Sequence, residues 1–127
     1  MSTRLADHGL AAAVGDLAAR MPIPVALDIR PPSSLSPVAM STAYFVVAES
    51  LANVVKHSAA AHASVAVSGE RELIVSVHDD GTGGADLRAG TGLRGLQERV
   101  HAIGGRLIVS ESAPHGTLVE AILPCGW

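Results

Sequence analysis

The chain is poor in aromatic residues: one Tyr, one Phe and one Trp in 127 residues. Yet 48% of its residues are apolar, so a core is available, and Ala, Val and Leu must fill it. A single cysteine, Cys125, excludes an intrachain disulfide and a multi-cysteine metal site. It comes after a proline near the C-terminus, and no role is assigned to it. Basic runs are absent and the net charge is −3. That argues against nucleic acid as the main partner, because neutralising phosphates takes clustered Lys and Arg. No uninterrupted apolar run approaches the roughly 20 residues that span a bilayer. The N-terminus lacks a basic stretch followed by an apolar one, so no signal peptide is read. A cytoplasmic location is the expectation, with room for the chain to be the cytoplasmic end of a longer membrane protein.

Apolar periodicity supplies the elements. Leu5 to Met21 reads as an Ala-rich helix with Leu10, Val14, Leu17 and Met21 on one stripe, ended by Pro22 and Pro24. Val25, Leu27 and Ile29 alternate with Ala26, Asp28 and Arg30 as in a short strand. A second helix is expected from about Pro37 to Ser58, with Val47, Leu51, Val54 and Val55 buried. His62 to Ser68 and Leu73 to Asp79 form a hairpin around Gly69 to Glu72. Gly81 to Gly92 holds five glycines in twelve positions and is expected to be a mobile loop. Gly92 to Ile103 is a third helix, with Leu93, Leu96, Val100 and Ile103 on one face and Gly104-Gly105 as its cap. A last hairpin joins Arg106 to Ser110 with Thr117 to Leu123 around Pro114-His115-Gly116. The expected architecture is α+β: a two-layer sandwich of one mixed, mostly antiparallel sheet covered on one face by helices. One domain over residues 1–127 uses up the chain.

Three segments carry chemistry. Glu49, Asn53 and Lys56/His57 recur at helical spacing beside an apolar stripe. A carboxylate, a carboxamide and a cation there cost desolvation energy unless something pairs with them. A nucleotide with its metal ion would. In the second segment, strand parity puts Asp79 with Leu73, Val75 and Val77 on the apolar face, toward the helices, and Asp80 on the other. A buried carboxylate needs donors, and the exocyclic amine of adenine is one. A plain Asp-Gly turn is the competing reading of this motif. Gly81 and Gly83 allow close approach to a flat ligand. In the third segment, Gly90-x-Gly92-x-x-Gly95 lies too late in the chain for a dinucleotide fingerprint. Gly92 does precede a helix whose free N–H groups can hold phosphate oxygens.

Taken in order, these segments resemble the ATP-binding domain of sensor histidine kinases, within the Bergerat-fold group that includes the gyrase B and MutL ATPases. Residues Ala43 to Ser58 look like the N box of that family. Val77-His78-Asp79-Asp80-Gly81-Thr82-Gly83 looks like its first glycine box, and Gly90 to Val100 like its second. Gly104-Gly105 and Gly116-Thr117-Leu118-Val119 match the closing segment. The likeness covers roughly Leu5 to Pro124 and is nearest to the kinases that pair with NarL-type response regulators.

The resemblance implies Mg-ATP as ligand and assigns roles. Asn53 would coordinate Mg²⁺, and Glu49 would act as, or orient, the general base of phosphoryl transfer. Lys56 and His57 would lie near the phosphates or support the helix. Asp79 would bind the adenine amine, with Gly81 and Gly83 shaping the pocket and Thr117 backing it. Gly90, Gly92 and Leu93 would close over the phosphates. The dimerising hairpin with its acceptor histidine is not read in the chain; His8 is followed by Gly9 where the family has an acidic residue. The expected partner is therefore a separate phosphoacceptor hairpin, with a NarL-type regulator beyond it, and the isolated domain is expected to be a monomer. His62, His78, His101 and His115 lack ligand-like spacing, and Arg94, Glu98 and Arg99 read as a solvated helix face. Two other functions compete: an anti-sigma-factor serine kinase of similar fold, and a degenerate protein-binding module without nucleotide.

Overall fold

A computed structural model describes residues 3–32, 34–81, 93–111 and 116–125, without the side chains of 3–8, 57 and 58. The elements are α1 (Thr3–Ala19), β1 (Val25–Ile29), α2 (Pro37–Asn53), β2 (Ala63–Ser68), β3 (Glu72–Asp79), α3 (Leu93–Ala102), β4 (Arg106–Glu111) and β5 (Thr117–Pro124). The five strands form one sheet in the order β1-β2-β3-β5-β4. Only β1 and β2 run parallel; the other three pairings are antiparallel. This is the mixed, mostly antiparallel sheet expected from the sequence.

Alternation decides which face is covered. On β2, Ala63, Val65 and Val67 are buried; on β3, Leu73, Val75, Val77 and Asp79; on β5, Thr117, Val119, Ala121 and Leu123. Cross-strand pairing lines these residues up in rows, Val65 with Val77 and Val77 with Val119 among them. Val46, Val47 and Leu51 of α2, Leu93, Leu96 and Val100 of α3, and Leu10 and Val14 of α1 complete the same core. Phe45 and Tyr44 only flank it, so small aliphatic side chains fill the interior, as the scarcity of aromatics requires.

Helix α2 has strong local reasons to start where it does. Ser36 caps it, its Oγ accepting the Ala39 N–H at 3.1 Å, and Pro37 occupies the first turn, where no N–H is needed. The chain also ties this start to its own end, through Ser36 N–H donating to the Cys125 carbonyl at 2.9 Å. Cys125 is buried, and burial pushes its thiol pKa upward. It is a core residue. Residues Pro37–Lys56 have the length and composition of a membrane span, with mean hydropathy 1.5. Here they form the central helix of the core, packed against α1, α3, β3 and β5.

Two expectations about the helices need correcting. Gly9 adopts φ 85°, ψ 177°, which breaks α1 near its start. The second helix is not α-helical to Ser58. It changes at Val54 to a π turn, Val54–Ser58, ended by Ala59 at φ 52°. A π turn bonds i→i+5 and shifts the phase of the residues within and beyond it. Val54 stays buried but Val55 is 51% exposed, against the expectation that both belong to the core. The glycine boundary after α3 holds: Gly104 N–H donates to the His101 carbonyl and Gly105 N–H to the Val100 carbonyl, both at 3.0 Å. With Gly104 at φ 83°, this pair of bonds is a Schellman ending.

Gly105 is where α3 meets the sheet. A Cβ added there would lie 2.7 Å from the Ile122 carbonyl oxygen and 2.9 Å from Leu123 Cδ2. The obstructing oxygen belongs to β5 backbone and cannot swing away. Gly105→Ala is expected to cost about 1–3 kcal/mol of stability, by the overpacking argument. Chemical denaturation read by circular dichroism checks it; an unchanged midpoint would show that β5 can yield.

Candidate active site

The end of the sheet at the C-terminus of β3 brings three buried residues into one row. Asp79 pairs with Ala63 on one side and Thr117 on the other, so all three point to the helical face. Asp79 is 4% exposed and Thr117 is 5% exposed. The parity argument therefore holds. Its Oδ1 accepts the Gly81 N–H at 2.8 Å, which folds the adjoining backbone back over the carboxylate. Gly81 is buried beside it. Gly83, Gly90 and Gly92, and the loop expected to be mobile, lie outside the described residues.

Asp80 faces away from the helices, as its parity requires, but it is not idle. Its Oδ1 accepts the N–H groups of Ala61 and His62, both at 2.9 Å, and its Oδ2 lies 3.1 Å from His62 Nδ1. The Asp80 N–H returns a bond to the His62 carbonyl at 3.3 Å. These donors, the His62 N–H first among them, hold the Asp80 carboxyl below its ordinary pKa. The effect is to pin the segment that leaves the π turn to the end of β3. Sequence reasoning missed this tie, because a bond between residues 18 apart leaves no local pattern.

Glu49 and Asn53 lie one turn apart on α2, both half-buried. The Asn53 Nδ2 is buried without a hydrogen-bond partner. So is the Oγ of Ser50, one turn earlier and 1% exposed. Sequence reasoning passed over Ser50. Lys56 falls beyond the change to the π turn and is exposed; the His57 side chain is outside the described residues. The helical-spacing argument thus places Glu49 with Asn53, and it loses the phase for Lys56.

Leu93 opens α3, and its side chain is buried in the core at 1% exposure. Any contact from Leu93 to a phosphate would have to come from its backbone. Arg99 is exposed, yet its guanidinium stacks over the Phe45 ring at 4.1 Å, a cation–π contact that ties α3 to α2. The expectation of a purely solvated face is corrected there. Among the described residues, no group of three or more His, Cys, Asp or Glu side chains converges as a metal cage. A metal ion held near Asn53 would need most of its oxygens from a ligand, which is how Mg²⁺ sits on nucleotide phosphates.

No family model matches the chain. Over 92 residues it is 36% identical to the sensor histidine kinase YxjM of Bacillus subtilis, a match taking in 72% of this chain and 23% of that protein. Over 97 residues it is 37% identical to the signal transduction histidine-protein kinase/phosphatase UhpB of Salmonella typhimurium, covering 72% of this chain and 19% of that one. Its homologues are sensor histidine kinases. The chain spans about a quarter or less of the length of these relatives. Among solved structures, the ATP binding domain of PrrB from Mycobacterium tuberculosis matches with a TM-score of 0.71 at 21% identity, covering 93% of this chain and 92% of that one. At that identity the likeness concerns the fold, and it takes in nearly all of both chains. The five-stranded sheet with three helices is thus the fold of a histidine-kinase ATP-binding domain.

Proposed function

We propose that the chain is the catalytic domain of a two-component sensor kinase: it binds Mg-ATP and passes the γ-phosphoryl group to a histidine on a dimerisation hairpin. The observation that carries this reading is the buried Asn53 Nδ2 with no partner among the described residues, one turn after Glu49 on the helix that packs on the strands of Asp79 and Thr117. A buried amide end left unpaired costs stability unless a ligand completes it.

The residues divide the work. One oxygen of Asp79 is occupied by Gly81 N–H, and the other would accept the adenine amine, with Thr117 beside it in the same row. Asn53 would donate its unpaired Nδ2–H to a phosphate oxygen and supply its amide oxygen to Mg²⁺, whose charge offsets that of the phosphates. Glu49 would accept the proton of the attacking imidazole, or orient the group that does. The bond formed is P–N to the acceptor, the bond broken is γ-P–O, and ADP leaves. Gly83, Gly90, Gly92 and the Leu93 N–H are the proposed lid over the phosphates, and Lys56 and His57 are proposed near them. A cytoplasmic setting, a hairpin partner and a NarL-type regulator downstream belong to the same reading.

The test is calorimetric titration of the chain with ATP, with and without Mg²⁺. Wild type is expected to bind more tightly with the metal. In Asn53→Ala that difference is expected to vanish while the circular dichroism spectrum is kept. A full Mg²⁺ effect in the variant would place the metal elsewhere; no binding by wild type would remove the reading.

A further inference from the structure

Ser50 is out of place by every local rule. It stands in the last turn of α2, just before the π turn, on a face otherwise built from Ala43, Val46, Val47 and Leu51 of α2 and Val54 of the π turn. Alanine would suit both the helix and the core better. A serine in a helix interior ordinarily settles its hydroxyl on the carbonyl one turn back. Here the Oγ is buried, with the residue 1% exposed, and it has no partner among the described residues. A hydroxyl left this way destabilises the fold unless something else completes it.

The second unpaired buried group lies three residues on, at Asn53. Residues three apart on a helix are neighbours on one face. That face of α2 packs on β3 and β5, the strands that end in Asp79 and begin with Thr117. Two buried polar atoms with no partner among the described residues, adjacent on a helix that packs on the strands of a buried carboxylate, call for one ligand with several polar edges.

We infer that the Ser50 hydroxyl is a further base-reading group of the nucleotide site, donating, directly or through one water, to the ring nitrogen N1 or N7 that flanks the adenine amine. The inference rests on the nucleotide reading above. The chemistry is complementary: Asp79 offers an acceptor to the amine, and Ser50 offers a donor to the unprotonated nitrogen next to it. Together they would distinguish adenine from guanine, which presents an oxygen in place of the amine.

The signs of the effects separate this role from a structural one. Removing a buried hydroxyl that nothing satisfies stabilises the empty protein, whereas removing one that reads a ligand weakens binding. Ser50→Ala is therefore expected to raise the melting midpoint without nucleotide by roughly 3–6 °C. It is also expected to weaken Mg-ATP binding about three- to tenfold. Titrations of wild type and variant with 1-deaza-ATP and 7-deaza-ATP identify the nitrogen: the analogue lacking it binds both proteins equally. If wild type binds Mg-ATP and Ser50→Ala binds it equally well, the inference fails while the nucleotide reading stands. If both analogues keep the same wild-type-to-variant ratio as ATP, the hydroxyl acts on the fold and the inference fails again. If wild type binds no nucleotide, both readings fall together.

Discussion

Glu49→Gln is expected to slow phosphoryl transfer to a separately supplied acceptor hairpin by roughly 10²–10⁴-fold, the usual contribution of a general base. ATP affinity is expected to be nearly kept, because the substitution preserves the shape and hydrogen-bonding reach of the side chain while removing its capacity to take a proton. The half-burial of Glu49, one turn before Asn53, supports this division. Anchored by the capped start of α2 and by the packing of its buried face, the carboxylate has a rigid support. The assay tracks labelled γ-phosphate onto the hairpin, with an acid-labile product as the mark of phosphohistidine. Undiminished transfer by Glu49→Gln would move the base elsewhere. An acid-stable product would favour a serine-kinase reading of the same fold.

The candidate site was legible in the sequence where it depends on short-range periodicity. Period two along Leu73 to Asp79 was enough to send Asp79 toward the helices, and the register of β3 with β2 and β5 agrees. Period 3.6 was enough to join Glu49 to Asn53. It failed past Val54, because a π turn needs no special residue: Val54-Val55-Lys56-His57-Ser58 contains neither glycine nor proline, and the change lies in which carbonyl each N–H chooses. Val55 was misplaced for that single reason. The position of Thr117 beside Asp79 came from family likeness, since nothing local tells β5 to pair with β3 in that register. The Asp80 tie to Ala61 and His62, and the orphaned Ser50 hydroxyl, were invisible for a related reason. Each is a statement about what lies near a side chain in space, and the sequence around it reads as an ordinary turn or an ordinary helix.

Asp79→Asn is expected to weaken Mg-ATP binding on the order of ten- to hundredfold, because it exchanges a charged hydrogen bond, worth roughly 1.5–3 kcal/mol, for a neutral one with a donor in the wrong place. The geometry makes the expectation sharper than a simple loss of charge. Asp79 uses Oδ1 to hold the Gly81 N–H, and an asparagine can keep that bond only by turning its amide oxygen to Gly81. Its NH₂ then points to where the adenine amine would sit, donor against donor. Turned the other way, it serves the ligand but leaves the Gly81 N–H unpaired in a buried site. Either choice has a cost, so the variant cannot satisfy backbone and ligand together. A purine riboside triphosphate, which lacks the amine, separates the two contributions: wild type and Asp79→Asn are expected to bind it with nearly equal affinity. The measurement is a pair of calorimetric titrations at one salt concentration. An unchanged dissociation constant for Mg-ATP would remove Asp79 from the adenine site, and an equal loss for both nucleotides would make its role the shaping of Gly81 alone.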